Sequence, residues 1–165
     1  MITIDDYFTN HYVSDDEDPH VVEHVKKVKS TLDVGCGDNL FKKYQNNGTF
    51  IGIDPFNKNS DRLCDILDYD SPFKYELIIC FGSINFYNIE WVDTRMRKVA
   101  SLLKPQGRIC FKVNPNKPFG NGVRLNWFDR WTVPLIQHYA EIFNYEVECL
   151  REGDHGRIKF DYVAR

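Results

Sequence analysis

Apolar positions recur along this chain with two different spacings, and the switches between them mark out its elements. Residues 19–29 are predicted to form a helix: Asp18 is a good N-cap, Pro19 suits the first helical position, and Val21, Val25 and Val28 share one face. Ser30 to Val34 reads as a short buried strand running into Gly35-Cys36-Gly37, with a short helix over 39–45 and a second buried strand over 50–54. The continuous apolar run 76–81 predicts a central parallel strand. Helical spacing is clearest over 89–103, where Ile89, Val92, Met96, Val99, Ala100 and Leu103 line one face, Asn88 can cap the start, and Pro105 and Gly107 end it. A strand over 108–113 follows, and Thr132 caps a second helix running through Phe143.

The last two elements, 145–150 and 157–164, alternate with period two and are joined by a turn-rich segment that signals a hairpin. Repeated β-α units followed by an antiparallel hairpin predict an α/β fold, an open, doubly wound, mostly parallel sheet flanked by helices. Two stretches stand apart. Only about seven residues separate Asp54 from a third strand expected over 62–66, short for a parallel crossover, so the connecting helix should shrink to a turn. Residues 114–131 carry Pro, Gly and Asn punctuation and no period.

The 165 residues fit one domain, with an N-terminal segment and helix over 1–29 and a core over 30–165. No stretch approaches the roughly 18–20 apolar residues of a membrane span, and the N-terminus has neither a basic nor an apolar region of the signal-peptide kind. Five scattered cysteines (Cys36, Cys64, Cys80, Cys110, Cys149) form no C-x-x-C pair, which argues for a reducing compartment, the cytoplasm, and against a disulfide framework or a metal site. Net charge is −3 but uneven: residues 1–94 hold 8 Lys/Arg against 17 Asp/Glu, and 95–165 hold 13 against 7. The basic C-terminal part favours an anionic partner, while the overall balance gives no strong nucleic-acid signal.

The chemistry lies at the strand ends. In Leu32-Asp33-Val34-Gly35-Cys36-Gly37-Asp38 a strand turns into a helix through two glycines, which let backbone approach a ligand closely. Nineteen residues after Gly35, Asp54 ends the second strand beside Pro55, where a carboxylate can accept both hydroxyls of a ribose. A dinucleotide fingerprint would want G-x-G-x-x-G, but its sixth position is Leu40, so a nicotinamide oxidoreductase is disfavoured. From Thr31 onward the chain resembles the class I (Rossmann-like) S-adenosylmethionine (SAM)-dependent methyltransferases, in a minimal version. Residues 32–38 and 52–54 are similar to that family's first two motifs, 76–82 to its fourth strand, Leu102-Leu103-Lys104-Pro105-Gln106-Gly107 to its turn into the fifth, and the hairpin to its reversed seventh strand.

The resemblance implies SAM as cofactor. Asp33, Gly35, Cys36 and Gly37 would hold its amino-acid end, Asp54 and Pro55 its ribose, Asp65 and Ile66 its adenine, and the backbone of Phe81, Gly82 and Ser83 its methionine moiety. The chain departs from the pattern at Asn39, where many members have a third glycine, and at Gln106, which replaces the first glycine of the turn. The exit of the fourth strand, Gly82-Ser83-Ile84-Asn85-Phe86-Tyr87, is not the (N/D)-P-P-(Y/F) of amino-group DNA methylation, no Pro-Cys dipeptide supports a covalent cytosine mechanism, and the Lys-Asp-Lys-Glu set of ribose methylation is only partly imitated by Lys112 with Glu146 or Glu148. Catalytic candidates are Asn85, which could orient a nucleophile, and His11, in a segment that could fold over the cofactor. Removing Asp54 is expected to weaken SAM binding and leave the fold intact. Residues 114–131, with Phe119, Trp127, Phe128, Trp131, Lys117, Arg124 and Arg130, are expected to bind a planar or anionic acceptor of unknown identity, the alternative being that the tryptophans simply cover the sheet. A SAM- or nucleotide-binding module without catalysis, perhaps a partner subunit, is the alternative; oligomeric state is left open.

Overall fold

The computed structural model describes residues 17–114, 131–153 and 156–165. Helix α1 (Pro19–Lys27) leads into β1 (Ser30–Val34), a 3-10 turn (Leu40–Tyr44) and β2 (Thr49–Ile53). A second 3-10 turn (Ile66–Asp68), β3 (Tyr75–Phe81), α2 (Ile89–Ser101) and β4 (Leu103–Val113) follow, then α3 (Val133–Phe143), β5 (Tyr145–Glu152) and β6 (Ile158–Ala164). The strands make one sheet in the order β2-β1-β3-β4-β6-β5, parallel from β2 to β4 and antiparallel across β4-β6-β5. This is the open, mostly parallel sheet with a terminal hairpin that the periodicity predicts.

Capping accounts for the helix starts. The Asp18 carboxylate accepts from the N–H groups of His20 and Val21, Asn88 from Trp91, and Thr132 from Leu135, satisfying donors that have no partner within the helix. At the other end of α3, Asn144 takes a left-handed conformation (φ 57°). Helix α1 stops at Lys27, two residues short of expectation, because Val28 is already extended (φ −93°, ψ 162°) to feed β1.

Two apolar layers sandwich the sheet. The larger packs α2 and α3 against one face and includes Leu32, Ile78, Ile109, Phe111, Phe160, Tyr162, Met96 and Tyr139. The smaller packs α1 and the first 3-10 turn against the other through Val21, Val25, Phe41, Leu77, Ile79 and Phe81. Trp131 belongs to the larger core: it is 1% exposed, lies among the rings of Phe111, Tyr139 and Phe160, and its indole N–H donates to the Ile84 carbonyl at 2.9 Å. Its expected place in an acceptor-binding surface is therefore corrected to a place in the core.

Two further expectations change. No strand forms over 62–66. Arg62 makes one isolated parallel bridge to Ile53, and the chain then turns into the 3-10 helix, since the connection from Asp54 is too short to carry a crossover. Strand β4 begins at Leu103 rather than at 108, and α2 ends at Ser101. Pairing with β3 jumps from Tyr75–Leu103 to Leu77–Arg108, so the intervening residues bulge out of the ladder around Gln106 at φ 60°.

Around the start of α1 the same sheet face is polar, where β4, β6 and β5 meet it. Asp18 accepts from Lys159 at 2.7 Å and Arg151 at 3.4 Å, while Asp161 accepts from Arg108 and bonds His20 at 2.7 Å. Burial pushes the Asp18 carboxyl up, but the hydrogen bond from Lys159, the charges of Lys159 and Arg151, and the His20 N–H outweigh it and hold the group below its ordinary value. A depressed carboxyl stabilises the folded state above the unfolded pKa, near 3.9, and that stability is lost as pH falls through the lower folded value. Asp18→Asn keeps the cap but strands two cations, so it should cost about 3 kcal/mol at pH 7 and flatten the fall in melting temperature below about pH 4. Thermal melts of both proteins from pH 7 to pH 2 check this; parallel curves would exclude it.

Candidate functional site

The C-terminal ends of β1, β2 and β3 meet at the loop 35–39. The N–H groups of Gly35 and Cys36 both donate to the Ile53 carbonyl, at 2.8 and 3.0 Å, and Gly37 N–H donates to Asp54 Oδ2 at 3.0 Å. Asp54 Oδ1 accepts from the N–H groups of Phe56 and Asn57, at 2.8 and 2.9 Å. One carboxylate, 6% exposed, therefore ties the turn after β1 to the turn after β2. Of its roughly four lone-pair positions, three are occupied by backbone, which leaves Oδ2 with room for one further donor. A ribose taken up here would find one open acceptor position rather than two.

Glycine is required at the centre of this turn. Gly35 has φ 69° and Gly37 φ 52°, and a Cβ placed on Gly35 would stand 2.5 Å from the Cβ of Ser83. The β1 turn thus lies directly on the β3 exit, where Gly82 also has positive φ (74°) and donates its N–H to the Lys112 carbonyl at 2.9 Å. Asn39, which departs from the three-glycine pattern, holds φ 61°, a left-handed conformation that asparagine tolerates better than most residues. Its side chain donates to Asp61 at 3.1 Å, and the same Asp61 oxygen accepts from Gly52 N–H at 2.8 Å. The Cys36 thiol is raised well above its ordinary value by burial and by the carboxylates of Asp33, Asp54 and Asp61, so it packs rather than reacts. Asp33 is buried within β1, paired with Gly52 and Ile79.

Local contacts set the positions of Asp65 and Ile66 at the next turn. Asp65 Oδ1 caps the second 3-10 turn by accepting from Leu67 N–H at 2.9 Å, and Oδ2 accepts from Arg95 of α2 at 2.9 Å. The Arg95 guanidinium lies 3.6 Å from the centre of the Trp91 ring. Ile66 is buried in the larger core, so only its backbone faces outward from the turn. Pro55 and Phe56, next to Asp54, are exposed.

At the β3 exit, Phe81 is buried edge-on against Phe41 at 5.9 Å, and Asn85, fully buried, accepts Asn114 N–H on Oδ1 at 3.1 Å. Arg95 is a partner that sequence reasoning missed, and Asn114, the first residue of the expected acceptor segment, was not singled out within it. Neither has a motif: one ends a strand, the other is an ordinary helix arginine, and only the fold sets them beside Asn85 and Asp65. Lys112 and Glu148 are not brought together, since Lys112 pairs in register with Lys159 while Glu148 accepts from Arg108 at 2.7 Å. Glu146 lies farther along β5, opposite Val163, so neither glutamate is in the row of Lys112 and Lys159. His11 and residues 115–130, including Phe119, Trp127 and Arg124, lie outside the described residues.

The fold also gathers His20, Cys110 and Asp161, whose ligand-type atoms lie within 4.8 Å of one another. The Asp161 oxygen bonded to His20 also accepts from the Arg108 guanidinium at 2.5 Å, and a fixed cation there opposes a metal ion. We read the cluster as an ion-pair network.

Because Asp54 braces two turns, its removal should not leave the fold untouched. Asp54→Ala should lower the melting temperature of the ligand-free protein by roughly 4–8 °C, for a loss of about 2 kcal/mol. An unchanged melt would mean that the turns hold without the carboxylate.

No protein-family model matches the chain, and neither does any curated protein sequence. Solved structures do. A SAM-bound amino pentose methyltransferase from Micromonospora echinaspora, involved in calicheamicin biosynthesis, superposes with TM-score 0.71 at 13% identity, over 96% of this chain and 94% of its own. Magnesium protoporphyrin IX methyltransferase from Synechocystis PCC 6803, with bound SAM, gives 0.68 at 13% identity over 98% and 95%. The Burkholderia thailandensis 1,6-didemethyltoxoflavin-N1-methyltransferase, with its substrate and S-adenosylhomocysteine bound, gives 0.68 at 14% identity over 88% and 75%. With its sheet order, its terminal hairpin and the glycine turn set on Asp54, this chain has the fold of the class I SAM-dependent methyltransferases.

Proposed function

We propose that the protein transfers a methyl group from SAM to an acceptor by in-line displacement. The observation that carries this reading is the Gly35–Gly37 turn, held open in positive-φ conformations and braced on Asp54 at the ends of β1 and β2. Ligands of open α/β sheets bind beyond the carboxyl ends of the strands, and three structures with this fold hold SAM or its demethylated product.

The residues fit the cofactor at each end. Gly35 and Gly37 put no side chain in the path of the methionine portion, with Asp33, Cys36 and the backbone of Phe81, Gly82 and Ser83 around it. The remaining position on Asp54 Oδ2 can accept one ribose hydroxyl, with Pro55 alongside. Asp65, steadied by Arg95, can accept from the adenine amine, with Ile66 contributing backbone. SAM supplies an activated methyl with a good leaving group, so the protein's task is to hold two reactants in line and exclude water. Proximity of that kind is worth of the order of ~7–11 kcal/mol in favourable cases. Asn85, buried at the β3 exit, would orient the acceptor through its amide. All five cysteines are free, which supports a reducing compartment, the cytoplasm; no helix among the described residues is long and apolar enough to cross a membrane.

A ligand that binds only the native state stabilises it by about 2.7 kcal/mol at a hundredfold excess over Kd, roughly 5–10 °C for a domain of this size. SAM and S-adenosylhomocysteine should each raise the melting temperature on that scale, and NAD should not. Protein unmoved by SAM, or moved equally by NAD, would overturn the reading; SAM binding without S-adenosylhomocysteine formation on a broad acceptor panel would favour a non-catalytic module.

A further inference from the structure

Two buried amides at the ends of adjacent strands each hold a donor with nothing to bind. Asn85 after β3 is 0% exposed and Asn114 after β4 is 3% exposed, and the Nδ2 of each lacks a hydrogen-bond partner. Their arrangement is not arbitrary. Asn114 N–H donates to Asn85 Oδ1 at 3.1 Å, which fixes which end of the Asn85 amide is oxygen and leaves its NH2 as the group on offer. Buried polar groups in native proteins are almost always paired, and the exceptions call for a ligand, a water or a catalytic role. Here two of the exceptions among the described residues are neighbours, at the strand ends where open α/β sheets bind their ligands.

The open donors narrow the ligand. Two neighbouring amide NH2 groups favour a group that offers two acceptor oxygens, as a carboxylate does. An amine or ammonium acceptor would need an oxygen aimed at it, and the Asn85 oxygen is engaged by the Asn114 N–H.

We propose that Asn85 and Asn114 bind the carboxylate of the methyl acceptor, so that the enzyme selects organic acids over amines. This rests on the methyltransferase reading above and adds the acceptor class to it. The amides bind and orient; a carboxylate oxygen, or a nucleophile set beside it, would form the new bond to the methyl carbon as the bond from that carbon to the sulfonium sulfur breaks, with S-adenosylhomocysteine as the leaving group.

Titration calorimetry on the whole chain saturated with S-adenosylhomocysteine tests this, with benzoate and indole-3-carboxylate as acid probes and benzylamine as their amine counterpart. The acids should bind and benzylamine should not. N114L, close in size and without the stranded donor, should melt at or above the wild-type temperature, keep S-adenosylhomocysteine affinity within twofold, and lose acid affinity at least tenfold. N114T is the second variant should leucine not fold, with the same expectation for binding. Wild-type protein that fails to bind S-adenosylhomocysteine would defeat the cofactor reading itself. Cofactor binding without acid binding, equal binding of benzylamine, or full acid affinity in both variants would overturn the carboxylate site alone. So would variants that lose fold and cofactor together, or a crystal structure in which one water bridges both amides and stays when benzoate is added.

Discussion

The Asp54 carboxylate organises this molecule's working end. It sits where β2 stops, accepts from Gly37, Phe56 and Asn57, and so joins two turns that would otherwise be independent loops. Backbone N–H groups at such turns must be satisfied by something, and a single buried acceptor does so for three of them. The glycines at 35 and 37 matter because only a backbone with positive φ brings the turn down onto this carboxylate and onto Ser83 at once. Strand register does the remainder: Val34 paired with Ile53 ends both strands at the same height.

From that point the sheet divides into two kinds of surface. Toward α2 and α3 it is aromatic and dry, with Phe111 stacked on Phe160 at 5.1 Å and Trp131 wedged beside them. Toward α1 it is apolar only as far as β4, after which Arg108, Asp161, Glu148, Lys159 and Asp18 form paired charges around the helix start. The two surfaces come from one alternation. In β6, Phe160 and Tyr162 face the first layer, and Lys159 and Asp161 face the second. Burying the charged face holds α1 by ion pairs and caps in addition to its three valines. Arg95 plays a comparable part on the opposite rim, where its contacts to Asp65 and Trp91 fix the short 3-10 turn that replaces a third strand.

The working end leaves several polar atoms unserved. The stranded amides of Asn85 and Asn114 are a cost to the fold, and they lie where the strands open rather than in the aromatic layer. Groups of that kind mark sites in which stability is given up for binding. Among the described residues, the pairing β4-β6-β5 is disturbed near Cys149, at φ 53°, by a register shift in the edge strand.

Much of this was legible in the chain itself. Period-two and period-3.6 patterns, together with Asp18, Asn88 and Thr132 as caps, determine the helices and all but one of the expected strands, because those choices rest on neighbours within a few residues. The glycine turn and the strand-end acid are local as well, so the place of the site was readable. What lies at long range was not. The sequence shows Asp54 and Gly37 seventeen positions apart, but not that the carboxylate spends three of its acceptor positions on backbone. It shows Asp65 but not Arg95 beside it, and Asn85 but not Asn114, because each pair depends on which strands and helices become neighbours. Trp131 was assigned to a surface and belongs to the core for the same reason: a lone aromatic in an aperiodic segment carries no sign of the layer it will fill. Only the packed sheet, which sets strand ends side by side, decides which polar groups find partners and which are left for a ligand.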